Sequence, residues 1–230
     1  MKMCSVVIAV TDGLARNQFF FSRLFRNTDH PFELIIIDNG TTDGTGSYLN
    51  ELPNRKLIRF PVNMGLGKAW NSALRVASGS ILAFVETGCV LPAKWLSTLV
   101  GMAGANRRAR VVRTLDRETV LRHRSLFGRY ADLIKNVPGT AFSSEAELNS
   151  YYPGGFDEYA TRLARRFKTV KLPSSTSDCL VVAKEVFQSG FRFPEGYAQA
   201  GQVTIDGFTA SLQKSGAVLK TLISGVYTHR

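Results

Sequence analysis

Cysteine is scarce in this chain. The three present, Cys4, Cys89 and Cys179, are odd in number and far apart. That excludes a disulfide framework and a clustered zinc site, and it suits a reducing, cytoplasmic setting. No apolar run approaches the roughly 18 residues of a membrane-spanning helix. The apolar opening over residues 1–10 runs straight into Thr11-Asp12-Gly13 with no small-residue cleavage site, so it reads as a buried first strand and not as a signal peptide. Acidic side chains are in deficit, with 18 Asp and Glu against 29 Lys and Arg, a formal charge of +11. Polyphosphates, nucleic acid, acidic glycans and anionic membrane surfaces are all compatible with that charge. Helix-turn-helix, zinc-finger and base-stacking patterns are missing, so nucleic acid is the least expected of these. The first strand lacks a following Gly-x-Gly-x-x-Gly, and Gly65-Leu66-Gly67-Lys68-Ala69 lacks the leading glycine and closing hydroxyl of a phosphate-binding loop. There is no internal repeat and no low-complexity linker.

What is present is a globular composition, 44% hydrophobic and 20% charged over 230 residues, enough for one substantial core or at most two small ones. A near-continuous β-branched run at Ser5–Val10 predicts a strand covered on both faces, and Phe32–Ile37, Lys56–Phe60 and Ser80–Val85 predict the next three strands. Helical spacing falls between them, at Arg16–Arg26, Gly44–Leu52 and Leu66–Ala77, with Gly79 as a stop, and Pro92–Gly101 opens another helix. This alternation predicts an α/β doubly wound, mixed and mostly parallel sheet flanked by helices. Later segments are less regular. Val111–Val112 and Thr119–Leu121 read as short strands, Ser144–Phe167 as a helix broken near Pro153-Gly154-Gly155, Cys179–Ala183 as a strand, Val203–Lys214 as a helix capped by Gly216, and Val218–Val226 as a last strand. The second half completes the fold of the first, so residues 1–230 read as one domain.

Polar residues gather where the strands end. Thr11 and Asp12 follow the first strand, Asp38, Asn39 and Gly40 the second, and Asn63, Gly65 and Lys68 the third. A carboxylate, amides and glycines at neighbouring strand ends suit hydrogen bonding to a base and ribose with close backbone approach. Taken singly, Asn39-Gly40 and Asn63-x-Gly65 read equally as turns.

Three segments carry a resemblance: Val6-Val7-Ile8-Ala9-Val10-Thr11-Asp12, the run from Glu33 through Asp38-Asn39-Gly40-Thr41-Thr42-Asp43-Gly44-Thr45, and Asn63-x-Gly65-x3-Ala69-x-Asn71-x2-Leu74-x2-Ala77-x-Gly79. In order and spacing the chain resembles family 2 glycosyltransferases of the nucleotide-diphosphosugar transferase (GT-A) fold. The resemblance implies inverting transfer of a sugar from a nucleotide diphosphate to a hydroxyl acceptor, a glycan or lipid-linked glycan, as in polysaccharide biosynthesis. It assigns residues 1–100 to donor binding and 101–230 to the acceptor. It places the base against Asp38, lines the same pocket with Thr11, Asp12 and Asn39, and closes it with Asn63, Gly65 and Lys68.

After the fourth strand such enzymes present an acidic motif that holds Mg2+ or Mn2+ against the diphosphate. Here it reads Glu86-Thr87-Gly88-Cys89, with one carboxylate. Three readings stay open: Glu86 holds a metal with phosphate and water, joined by His229; basic residues screen the diphosphate instead; or catalysis is lost and the chain is a binding module for a nucleotide, glycan or protein. For the acceptor, the resemblance implies a base near a helix start after Gly190 and Phe193. Asp206 is the first candidate and Glu195 the second. Asp206 reads equally as a carboxylate serving a helix dipole. Eight arginines between Arg107 and Arg129 form either a solvated basic face or a contact for a phosphate-bearing acceptor or an anionic membrane. Tyr151, Tyr152 and Phe156 read either as an acceptor surface or as packing.

Overall fold

The structure, a computed structural model, describes residues 3–105, 111–139, 142–167, 169–170, 179–195, 201–214 and 221–228. The first half alternates β1 (Cys4–Val10), α1 (Leu14–Asn27), β2 (Phe32–Asn39), α2 (Thr45–Glu51), β3 (Arg55–Phe60), α3 (Leu66–Ala73), β4 (Ile81–Glu86) and α4 (Trp95–Ala105). Then come β5 (Val111–Asp116), the short helices α5 (Arg117–Arg122), α6 (Arg124–Phe127) and α7 (Arg129–Ile134), and α8 (Glu145–Ser150) and α9 (Phe156–Arg166). The remainder is β6 (Thr169–Val170), β7 (Cys179–Ala183), α10 (Lys184–Gln188), α11 (Gly201–Lys214) and β8 (Thr221–Thr228). Among the described residues, eight strands join one sheet in the order β3-β2-β1-β4-β7-β5-β8-β6. β1, β2, β3 and β4 pair in parallel, β7 runs antiparallel to both neighbours, and β8 is parallel to β5. The sheet is therefore mixed and mostly parallel, as the apolar runs predict.

Alternation along the strands sorts the core into two layers. Val6, Ile8 and Val10 face Phe20, Phe21, Leu24 and Trp95 on one side. Val7, Ala9, Ile35 and Ile37 face Trp70, Phe193 and Phe208 on the other. A third cluster is built by the 115–163 region around Phe127, Ile134, Tyr152 and Phe156. Tyr152 and Phe156 lie in it with ring centroids 5.2 Å apart, so both are packing residues, whereas Tyr151 is exposed.

Thr119–Leu121, expected as a strand, is helical. Asp116 ends β5 and accepts a hydrogen bond from the Thr119 N–H at 2.7 Å, an N-cap that starts α5. Among the described residues of the arginine run, Arg122, Arg124 and Arg129 are exposed, while Arg113 leaves the surface. Arg113 is buried in β5, Arg122 pairs with Glu118, Arg117 donates to the Lys135 carbonyl and Arg129 lies over the Tyr130 ring. Arg107, Arg108 and Arg110 lie outside the described residues, as does the Gly216 cap.

Glu33 closes the end of the sheet opposite the candidate site. Its carboxylate accepts from Ser5 Oγ at 2.5 Å, Lys56 Nζ at 2.6 Å, the Ser78 N–H at 2.6 Å and the Gly79 N–H at 3.0 Å. Gly79 is required by close approach: a Cβ there would lie 2.6 Å from the Ser5 nitrogen. Burial alone would raise the Glu33 pKa, but the Lys56, Ser5 and Ser78 bonds outweigh it and pull it down to about 2. The folded value lies below the unfolded one, so this stabilisation is complete above the unfolded pKa of about 4.3 and is lost as pH falls through about 2. In chemical denaturation, wild type is expected to exceed Glu33→Gln in stability at pH 7, with the gap closing between about pH 5 and pH 2. A gap independent of pH would contradict this.

Candidate donor site at the carboxyl edge of the sheet

Parallel register brings the strand ends together. Val10 stands beside Asp38, Asp38 beside Arg59, and Ala9 beside Glu86. Thr11–Asp12, Asp38–Asn39, the loop before α3 and Glu86 therefore share one sheet edge, where open α/β sheets bind ligands. The strands themselves end there because each aliphatic run gives way to residues that favour turns.

Asp38 is buried at 6% exposure. Its Oδ1 accepts the Thr41 N–H at 3.0 Å, and its Oδ2 lies 3.4 Å from Arg59 Nε. Gly40 follows at φ +79°, and a Cβ there would lie 2.5 Å from the Val62 carbonyl carbon. The second strand's turn thus packs directly on the loop after the third, an approach that only glycine allows.

Asn39 and Asn63 lace that loop. Asn39 Nδ2 donates to Asn63 Oδ1 at 2.9 Å and Asn39 Oδ1 accepts the Met64 N–H at 2.9 Å. Asn63 Oδ1 also accepts the Gly65 N–H at 2.9 Å, and Gly65, at φ +80°, begins α3. Lys68 stands half-buried in the first turn of that helix.

Asp12 is exposed and ties two loops, accepting from the Thr42 N–H at 2.6 Å and the Thr42 Oγ1 at 2.9 Å. Asp43 returns the tie. It accepts the Gly13 and Leu14 N–H groups at 2.6 and 3.0 Å, capping α1, and the Thr45 N–H at 3.2 Å. Hydrogen bonds from Thr45, then from the Gly13 N–H, hold its carboxyl well below the usual carboxylate range. The Thr11 carbonyl accepts from the buried Asn17 at 2.9 Å. Asp43 and Asn17 were not among the expected site residues. The available signal for Asp43 was its place just before a helix start, where aspartate is a strong cap.

Glu86 ends β4 buried at 6% exposure, and the turn after it closes by the Cys89 N–H donating to the Glu86 carbonyl at 3.3 Å. His229 lies outside the described residues. β8 ends on the same edge with Thr228 beside Asp116, but β7 and β5 stand between it and β4, a lateral separation of about 14 Å at 4.8 Å per strand. Among the described residues no group of three or more His, Cys, Asp or Glu side chains could hold a metal ion. At a nucleotide diphosphate, Mg2+ is usually bound through one or two carboxylates together with phosphate oxygens and waters. Glu86 would supply one such carboxylate, the other oxygens coming from the donor diphosphate and water.

The base candidates come from adjoining segments. Glu195 is exposed and its Oε1 accepts from Asn71 Nδ2 at 2.8 Å. Asp206 lies in the second turn of α11, whose first turn holds no acidic residue. The Asp206 side chain lies outside the described part. Its neighbour Gly207 meets the neighbour of Glu195: a Cβ on Gly207 would lie 3.0 Å from Pro194 Cγ.

The family described as "Glycosyl transferase family 2" matches residues 5–189. Among curated proteins, validoxylamine A glucosyltransferase from Streptomyces hygroscopicus subsp. limoneus is 28% identical over 118 residues, 49% of this chain and 26% of that protein. The chain thus spans about a quarter of that relative's length. A mannosyltransferase from Pyrobaculum calidifontis in complex with GDP-Man and Mn2+ superposes with a TM-score of 0.62 at 17% identity, over 97% of this chain and 56% of that one. Glucosyl-3-phosphoglycerate synthase from Mycobacterium tuberculosis, in complex with Mn2+, UDP and phosphoglyceric acid, gives 0.62 at 18% identity, over 100% and 71%. TarS from S. aureus in complex with UDP-GlcNAc gives 0.59 at 18% identity, over 97% and 55%. At these identities the structural matches establish the GT-A fold. The family match covers most of the chain, and its strand-end motifs lie at one sheet edge; the chain belongs to glycosyl transferase family 2.

Proposed function

We propose that the chain transfers a sugar, with inversion, from a nucleotide diphosphate to a hydroxyl acceptor, a glycan or lipid-linked glycan. The observation that carries this is the buried Asp38 carboxylate at an edge shared by four parallel strand ends. In this reading residues 1–100 bind the donor. Asp38 accepts from the base, Thr11, Asp12 and Asn39 line the pocket, and the Asn63–Gly65 loop closes it. Lys68 and Glu86 flank the diphosphate, with Lys68 supplying positive charge. Residues 101–230 bind the acceptor. Its oxygen attacks the anomeric carbon from the face opposite the diphosphate, the bond from that carbon to the phosphate oxygen breaks, and the nucleoside diphosphate leaves with the electron pair. The acceptor proton passes to Asp206, or to Glu195 if Asp206 does not serve.

Exposed leucines and arginines share the short helices α6 and α7, Leu126 at 48% exposure with Arg124 and Leu133 at 45% with Arg129, which supports a peripheral contact with an anionic membrane carrying a lipid-linked acceptor. A second reading, binding without transfer, is favoured by the single carboxylate of Glu86-Thr87-Gly88-Cys89.

Calorimetry with UDP-glucose and GDP-mannose, with and without manganese, tests donor binding and metal need. Nucleotide release tests turnover. Asp206→Asn is expected to keep donor affinity and to lose about 100-fold or more in kcat. Full transfer by both Asp206→Asn and Glu195→Gln would refute the assigned base. Donor binding with no nucleotide release by wild type would favour the second reading.

A further inference from the structure

The Asn71 carboxamide holds a segment 122 residues away. Its Oδ1 accepts the Phe193 N–H at 3.0 Å, and its Nδ2 donates to the Phe193 carbonyl at 2.9 Å and to Glu195 Oε1 at 2.8 Å. Below this grip the Phe193 ring is buried 5.0 Å from Trp70, 4.7 Å from Phe84 and 4.5 Å from Phe208. One residue further, Pro194 packs against Gly207 beside Asp206. On its other side Asn71 belongs to α3, whose start at Gly65 is bonded to Asn63, itself bonded to Asn39 beside Asp38. A bonded and packed path thus runs from the donor edge through α3 to both base candidates. Only a primary carboxamide of this length both accepts and donates here: aspartate keeps the acceptor and loses the donor, and leucine loses both.

From this path we infer that Asn71 is a positioning residue that couples occupancy of the donor edge to the base-bearing segment on the acceptor side. The inference rests on the donor reading above. A nucleotide seated at Asp38 stiffens the Asn63–Gly65 loop and α3, and Asn71 passes that restraint to residues 193–195 and the neighbouring turn of α11. The device aligns the base when a donor is present. It holds the base in place and takes no part in the proton transfer.

Amide hydrogen exchange with saturating UDP or GDP reads the coupling without requiring turnover. In wild type, nucleotide is expected to slow exchange at residues 193–195 and 207–212 by about tenfold. In Asn71→Leu that slowing is lost while nucleotide affinity stays within roughly threefold, and kcat for nucleotide release from UDP-glucose or GDP-mannose falls about 100-fold. Asn71→Asp, which keeps the acceptor for the Phe193 N–H, retains part of the slowing and guards against a leucine variant that fails to fold. Slowing that survives in Asn71→Leu overturns the inference. So does a parallel loss of nucleotide affinity and melting temperature in both variants, which would make Asn71 structural only. Nucleotide binding by wild type without slowing at 193–195 overturns this inference alone. Failure of wild type to bind either nucleotide overturns the donor reading on which it rests.

Discussion

Arg23→Ala is expected to lower the stability of the fold by about 3 kcal/mol or more, and the melting temperature by roughly 6–12 °C for a chain of this size. Arg23 lies in α1 at 1% exposure. Its Nη1 donates to both Glu145 oxygens at 2.7 and 2.8 Å, and its Nη2 to Asp157 Oδ1 at 2.7 Å. Nε and Nη2 also reach the Leu91 carbonyl at 3.2 and 3.1 Å, and the guanidinium stands 5.3 Å from the centre of the Phe156 ring. One side chain thus joins α1, the segment before α4, and the starts of α8 and α9. Glu145 and Asp157 keep 36% and 42% exposure, so water can solvate them once the arginine is gone, and the loss falls at the lower end of the range for breaking buried pairs. Arg23→Met keeps much of the volume and separates packing from charge. Arg122→Ala, which removes an exposed helical pair with Glu118, is the control and should change stability by about 0.5 kcal/mol or less. A loss below about 1 kcal/mol for Arg23→Ala would show that the network is not a major restraint.

The second large effect is expected at the donor edge. Asp38→Ala should weaken UDP or GDP binding by roughly 10- to 100-fold, the equivalent of one charge-assisted hydrogen bond of about 1.5–3 kcal/mol. Asp38 is buried, but its ion pair to Arg59 is long at 3.4 Å and the arginine is 49% exposed, so a ligand can compete for the second carboxylate oxygen. Arg59→Ala separates the roles. If Asp38 serves a ligand, Arg59→Ala retains nucleotide binding. If Asp38 serves only its arginine, both variants cost similar stability and neither changes affinity. Calorimetry at fixed salt reads the difference, because surface charge effects vary with ionic strength.

Legibility in the sequence followed burial. The strands β1, β2 and β4 were placed to within a residue or two because parallel strands covered on both faces read as nearly unbroken aliphatic runs, whereas β3, an edge strand with Lys56 and Arg59 exposed, was placed as closely without such a run. Ser5–Val10 became Cys4–Val10, and Phe32–Ile37 extended to Asn39. The middle of the chain was poorly legible. Arginines obscured the periodicity there, and one of them, Arg113, is buried in β5. Thr119–Leu121 looked like a strand from its β-branched residues, yet the Asp116 cap three residues before Thr119 starts a helix. The cap was readable in principle, since an aspartate ahead of a helix-forming run is a start signal. The tie between Arg23 and Glu145 was not, because its partners lie 122 residues apart with no local pattern between them.

The sequence by itself determined the family, the order of the first strands and helices, and which polar residues end those strands. Each of these depends on local composition and spacing. Tertiary structure alone decided what those residues do for one another: Asp12 and Asp43 tie two loops, Asn39 and Asn63 lace a third, and Asn71 reaches Glu195. A hydrogen bond between distant segments depends on the three-dimensional approach of two chains, and no one-dimensional period encodes that approach.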